Sequence, residues 1–389
     1  MTVQDLRFER ITDPQEIRAT HAQNSATWKG PLTVESYVER ERILGEASIA
    51  RKNQLTEVRE EFPELAPMLG IRYFALKDGD TIVSSCETLT RLGYFISPGE
   101  SRNIEHNLMI CVGGVFTPKE YRGKGYASCM VEKLMEYYDA IRDNPNAPRG
   151  IKQLSFTLYS EVGEYYKKFG FESRHVPVHT ITQIDAFLNK YCERAVFKND
   201  GKFVDNDDYD ALVSLEDQEF RRNLLKLHKA DPNSFIFTIK PDADIYRWFN
   251  TRDFFILRHI DRPQVPLTLG YVMGDKSHIL WHHNWGCESL LIVKLYLNPD
   301  ASSQEKENIL KELFAHAAKE TKVTKLKHIE FWDGEIPLEK FADLSKVVHD
   351  LEDRSTVYAH NESLSAMRPS PTYNTKNIIW DNNTKLSWF

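Results

Sequence analysis

At 389 residues the chain has room for two or three domains of about 150 residues each. Its 41% apolar and 28% charged residues are the balance of a globular protein, and 57 acidic against 50 basic side chains leave a formal charge of −7. That balance argues against a nucleic-acid partner, since phosphate contacts need a net basic face. No stretch approaches about 20 apolar residues, so neither a transmembrane helix nor a membrane partner is expected.

Residues 1–7 run straight into charged sequence, from which we expect no signal peptide. The five cysteines (Cys86, Cys111, Cys129, Cys192, Cys287) are widely spread and form no C-x-x-C pair. We read them as reduced thiols of a cytoplasmic protein without a metal site. The N-x-S/T matches at Asn361 and Asn382 carry no weight in such a chain.

In chain order, helical patterns come first, over 14–25 and 34–61, the second closed by Pro63 and Pro67. Strands are expected over 72–77 and 81–92, with Asp78-Gly79-Asp80 as the hairpin turn between them. A third, over 107–116, has the core LMICVGGVF, apolar enough to be buried on both faces. A loop from Pro118 to Gly125 then leads into a helix starting at Tyr126. Its residues Ala127, Met130, Val131, Leu134, Tyr138 and Ile141 form the stripe of a helix packed on a sheet. Residues 144–150 read as a loop, 153–159 as a strand, and 161–169 as a short helix ending at Gly170. An antiparallel meander followed by strand–helix–strand–helix is a mixed α/β pattern.

The acidic stretch 199–210 is the expected linker, dividing the chain into domains 1–198 and 199–389. Beyond it we expect helices at 209–229, 242–250 and 303–320. Strands are expected at 254–258, 267–273, 279–284, 290–297 and 327–332. This order repeats that of the first half, a duplication of elements without residue identity; an unrelated α+β domain is the alternative.

The most informative stretch is VFTPKEYRGKGYAS, 115–128, between a buried strand and an amphipathic helix. Gly123 and Gly125 allow positive φ and remove side chains, so that backbone N–H groups can crowd toward one point. With the unpaired first amides of the helix they form a seat for a pyrophosphate, to which Arg122 and Lys124 can add charge. A Walker loop is excluded because no Ser or Thr follows Lys124. A Rossmann loop is excluded because Ser128 stands where the third glycine is needed.

Arg122-x-x-Gly125-x-Ala127 resembles the R/Q-x-x-G-x-G/A signature of the GNAT superfamily of acyl-CoA-dependent N-acetyltransferases. Residues 160–171, SEVGEYYKKFGF, resemble that family's N-x-x-A-x-x-x-Y-x-k-x-G-F segment, with Ser160 and Gly163 in place of the more frequent Asn and Ala. The resemblance implies a GNAT-fold first domain, a second, degenerate GNAT-like domain, and acetyl-CoA as co-substrate with no metal. It implies coenzyme contacts from Val115, Phe116, Thr117, Arg122, Gly123, Lys124, Gly125, Tyr126, Ala127, Ser128 and Ser160. Tyr166 would be the acid that protonates the departing thiolate, and a backbone N–H of residues 115–117 would polarise the carbonyl.

An acceptor amine of pKa about 10.4 must also lose a proton, for which Glu105 and His106, at the start of the third strand, are the expected base. Glu87 and Glu161 are alternatives. His282-His283, between Trp281 and Trp285, could suggest a metal, but adjacent histidines on a strand point to opposite faces and cannot readily share one ion.

In the second half the corresponding loop is NPDASSQ, 298–304, with no glycine, no arginine and a carboxylate where phosphate should sit. This half is therefore expected to complete the acceptor site or brace the fold. Over most of its length the chain looks like the fungal L-lysine N6-acetyltransferases of lysine catabolism, which implies free L-lysine as acceptor. A protein lysine or N-terminal acetyltransferase, marked by an open acidic groove, and a non-catalytic acyl-CoA-binding scaffold are the alternatives.

Overall fold

A computed structural model of the chain describes residues 6–99, 103–193, 200–262, 264–352, 361–370 and 377–389. The first strand, β1 (Arg7–Ile11), is followed by α1 (Pro14–Trp28) and α2 (Val34–Leu44). Both helices are started by side-chain caps, Asp13 accepting from the Gln15 amide and Thr33 from that of Ser36. The single helix expected over 34–61 is broken: α2 stops at Gly45, and α3 (Thr56–Glu61) is a separate short turn. Then β2 (Gly70–Asp78), β3 (Thr81–Ile96) and β4 (Glu105–Phe116) form the antiparallel meander. The helices α4 (Tyr126–Arg142) and α5 (Arg149–Lys152) carry the chain over to β5 (Ser155–Ser160), which pairs parallel to β4.

Alternation along β4 sorts its two faces. Leu108, Ile110 and Val112 pack with Met130, Val131 and Leu134 of α4. Cys111 looks the other way, toward Tyr159, Trp332 and Phe389.

The chain continues through β6 (Glu172–Ser173), β7 (Val178–Ile181), α6 (Ile184–Phe187) and β8 (Lys202–Phe203) to α7 (Tyr209–Ala230), β9 (Phe235–Ile239) and α8 (Ala243–Arg258). A second meander follows, β10 (Gly270–Val272), β11 (His278–Asn284) and β12 (Ser289–Tyr296). The helix α9 (Ser303–Val323) then leads to β13 (His328–Trp332), parallel to β12, so that β12–α9–β13 repeats β4–α4–β5. Last come α10 (Ala342–Leu351), β14 (Leu364–Arg368) and β15 (Ile378–Trp380). Among the described residues no helix is long and apolar enough to cross a membrane.

The two sheets do not divide at the linker expected over 199–210. The first runs β1-β2-β3-β4-β5-β14-β6, with β9 on β3 and β15 on β9; the second runs β7-β13-β12-β11-β10-β8. Thus β7 precedes that stretch yet belongs to the second sheet, whereas β9, β14 and β15 follow it and complete the first. The strand expected over 254–258 is instead the end of α8. Its buried Phe249, Asp253, Ile256 and Leu257 recur at helical spacing, which the run of aromatic and branched residues conceals.

Candidate active site

The loop between β4 and α4 has the geometry of an anion seat. Gly123 and Gly125 hold φ of +77° and +82°. A Cβ at either position would meet nothing within 4 Å, so both backbones border open space. Gly125 is the N-cap of α4 and offers no side chain to its first amides, which are left for a ligand. A cleft of about 190 Å³ opens here, lined by Thr117, Arg122, Gly123, Gly125, Tyr126, Ala127 and Ser128 with Tyr121 and Tyr165. Arg122 donates from Nε to the Thr117 carbonyl at 3.0 Å, and Lys124 lies over the Tyr121 ring. Lys168 donates to Ser128 Oγ at 2.7 Å, adding a cation that the sequence motif did not single out.

Just before this loop, β4 has an open edge. Its pairing with β5 ends at Val112–Leu158, leaving the β4 edge from Gly113 to Phe116 without a β5 partner. On the opposite edge β3 bulges between Ser85 and Glu87, and Gly114 takes φ +56°. Val115 and Phe116 lie on this open edge, and Thr117 is held by Ser84 at 3.0 Å. Tyr166 stands on the α4 face, half-buried against Phe169 and Phe171 on the turn Gly163–Phe169. Burial pushes its phenol up, and the neighbouring Cys86, Tyr165 and Glu161 push the same way. Ser160, expected on the coenzyme, is 2% exposed and its hydroxyl is committed locally. It donates to the Gly163 carbonyl at 2.6 Å and accepts from the Val162 amide, fixing the turn that carries Tyr166.

Glu105 and His106 are not brought to this place. They begin β4, ten to eleven residues from its loop end and so roughly 35 Å away along the strand. Glu105 pairs with Arg149 at 2.9 Å, and His106 packs on Phe62 and Tyr94, where burial lowers its pKa. The expectation that this pair is the base is therefore corrected; it rested on strand order without regard to which end meets the coenzyme. Glu87 fits instead. It pairs across from Gly113 in the register, and a Cβ on Gly114 would lie 3.4 Å from its Oε1. By alternation it shares the face of Leu89 and Arg91, away from α4. His21 Nε2 of α1 stands 3.8 Å from its Oε2. Glu161 is exposed and accepts from Trp28 Nε1 at 3.2 Å, while the Trp28 ring stands edge-on to Phe116. Nothing local in the polar α1 marks Trp28 or His21 as site residues.

The family model described as the LYC1 GNAT-like C-terminal domain matches residues 193–389. An uncharacterized protein of Saccharomyces cerevisiae, YGR111W, is 46% identical over 394 residues, covering 99% of this chain and 98% of its own. The chain belongs to this GNAT family. A lysine acetyltransferase of Yarrowia lipolytica is 24% identical over 358 residues, 85% of either chain. In fold, it is similar to a GCN5-related N-acetyltransferase from Kribbella flavida, with TM-score 0.50 and 14% identity over 95% of this chain and 73% of that one.

The C-terminal half of the chain repeats the strand–helix–strand unit with its helix start and strand edge closed. At the start of α9, Ser302 accepts from the Glu305 amide while Glu305 accepts from that of Ser302, a capping box on the amides that α4 leaves free. Beyond the β12–β13 ladder, Glu335 accepts from the Leu295 amide at 2.9 Å and pairs with Lys294, filling the edge that stays open on β4. His282 and His283 both approach Asp253 of α8, at 3.5 and 3.7 Å. His283 also meets Glu320 at 2.9 Å; burial pulls its pKa down, and the two carboxylates outweigh it.

Proposed function

We propose that this GNAT-family acetyltransferase uses acetyl-CoA and acetylates the side-chain amine of free L-lysine, acting in lysine catabolism in the cytoplasm. The observation that carries the reading is an acid and a carboxylate on opposite faces of one unpaired strand edge, Tyr166 toward α4 and Glu87 away from it. The loop's open amides, its glycines and Arg122, Lys124 and Lys168 suit a pyrophosphate, and the free β4 edge suits the pantetheine arm as an added strand.

At pH 7.4 about one alkyl amine in 10³ is neutral, a handicap of roughly 4 kcal/mol that a carboxylate base reduces. Glu87 takes that proton, directly or through water. The amine nitrogen then forms its bond to the thioester carbonyl carbon while a backbone N–H of the β4 edge stabilises the oxyanion. The C–S bond breaks as the Tyr166 hydroxyl, kept protonated by its burial, donates to the departing sulfur; the second proton still carried by the attacking nitrogen passes through water to the Tyr166 oxygen and restores the phenol. The name of the Yarrowia relative supports lysine as the acceptor.

The test is thiol release from acetyl-CoA across free amino acids, polyamines and a histone-tail peptide. Selective release with L-lysine, giving the N6-acetyl product, is the expected result. Release with the peptide alone would replace the reading with a protein acetyltransferase. Tight CoA binding with no release would leave a scaffold.

A further inference from the structure

On the Glu87 face, away from the coenzyme loop, the C-terminal half brings two cations without a direct ion pair among the described residues, although the Glu41 and Asp253 charges act on Arg252 and that of Asp253 on Lys385. Arg252 lies one turn beyond Trp248 on α8, its Cζ 5.8 Å from that ring. Trp248 meets Phe389 at 6.2 Å, and the Phe389 ring lies against the backbone of Gly113 on the open β4 edge. Lys385 is 6% exposed, its Nζ 3.7 Å from the Trp388 ring and 5.5 Å from Phe249. Among the described residues, no group accepts a hydrogen bond or forms an ion pair with the Arg252 guanidinium or the Lys385 ammonium. Beside them His282 is 4% exposed, stacked on Phe249, with its Nδ1 3.5 Å from Asp253 Oδ1.

The carboxylates of this region are already engaged. Asp253 accepts from the His283 amide at 2.6 Å and is flanked by two imidazoles. Glu41 accepts from Arg40, its neighbour on α2, through Nε at 2.7 Å and through Nη2. Arg252 and Lys385 are thus left without a hydrogen-bonded anion where burial makes charge costly: burial and the nearby Arg252 charge push Lys385 down to about 7, against the opposing pull of Asp253. A group that costs stability without a partner fits a ligand that brings one. The coenzyme's phosphates have their own seat on the α4 face, so an anion on this face belongs to the acceptor.

We propose that Arg252 and Lys385 clasp a carboxylate of the acceptor, so that the acceptor is an amine bearing its own carboxylate, a free amino acid and not a polyamine or a lysine inside a protein. This rests on the acetyltransferase reading above and adds to it the residues that choose the acceptor. Arg252 offers a planar fork for one carboxylate, Lys385 a point charge, and Glu87 remains at the amine end.

The experiment compares L-lysine with cadaverine, which lacks the carboxylate, and with a lysine-containing peptide, in the full chain and in Arg252→Gln, Lys385→Met and Arg252→Lys. Wild type should prefer lysine. Arg252→Gln and Lys385→Met should raise KM for lysine by roughly 10- to 100-fold while KM for cadaverine and for acetyl-CoA stay in place. Arg252→Lys, which keeps the charge, should recover part of the loss, and an unchanged acetyl-CoA KM reports an intact fold. A lysine preference that survives both neutral variants overturns the clasp and leaves the acetyltransferase reading standing. Equal use of lysine and cadaverine by wild type also overturns the clasp. Turnover of the peptide alone overturns the free-lysine reading and the clasp together.

Discussion

In the proposed reaction Tyr166 is the acid for the departing sulfur, and that role depends on holding a proton at working pH. A free phenol titrates near 10; burial disfavours the phenolate, and the nearby Cys86, Tyr165 and Glu161 act in the same direction. Its acid form is therefore the one present below about pH 10. Tyr166→Phe should lower kcat by about 10²-fold, the usual contribution of a positioned acid, with acetyl-CoA binding retained. The wild-type pH–rate profile should show no alkaline loss from this group below about pH 10, because its raised pKa moves that limb upward. A phenylalanine variant with wild-type turnover across the whole profile would remove the acid role. At this scale the sequence is uneven in what it discloses. Tyr166 is legible because a local motif carries it. Glu87, the proposed base, is not singled out among several acidic residues, since its approach to Gly113 and Gly114 comes from the register of β3 on β4.

Two helix starts with opposite chemistry underlie the proposal that the first half alone takes a coenzyme. α4 begins on a glycine with no side-chain cap, whereas α9 begins on Ser302 and Glu305, which satisfy each other's amides. Capping stabilises a helix by about 1 kcal/mol, so its absence at α4 is a cost that a bound anion can offset. Gly125→Asp should reduce CoA affinity by at least roughly 100-fold, measured by calorimetry, because it puts a carboxylate against the pyrophosphate. Gly125→Ala separates this from backbone strain, since φ of +82° penalises any side chain by only about 1–2 kcal/mol. Normal CoA binding by folded Gly125→Asp would show that the pyrophosphate sits elsewhere. The elements of this loop could be read from sequence because glycine spacing and helical stripe are both short-range signals. β9 and β14 could not, because their partners β3 and β5 lie more than a hundred residues away, and strand periodicity names no partner. The end of α8 was misread because aromatic and β-branched residues suit a strand locally, while the face they bury is set by packing against α2 and β11.

The chain is interlaced at the scale of the whole molecule. All five residues of β14 pair with β5, and among the described residues β6 joins the sheet only through β14. Arg368 of β14 adds a two-point ion pair to Asp139 of α4, at 2.8 and 2.6 Å. On the other side β9 pairs with β3 over Gly93–Ile96, where β2 has already ended. The C-terminal segment is buried in the same way: Tyr159 of β5 donates to the Thr384 carbonyl at 3.2 Å and stacks on Trp388. Cutting the chain at residue 198, where composition suggests a boundary, would strip both β3 and β5 of partners and expose two apolar edges. Residues 1–198 expressed alone should therefore aggregate or show no cooperative thermal transition. The full chain should unfold in a single calorimetric transition in spite of its two sheets. A fragment 1–198 that unfolds cooperatively within a few degrees of the full chain would mean that the crossing strands add little. The clasp proposed for Arg252 and Lys385 would give this interlacing a catalytic consequence: residues proposed to bind the acceptor and the strand edge proposed to bind the acyl group are carried by different halves, joined by the C-terminal strands β9, β14 and β15 that complete the first sheet.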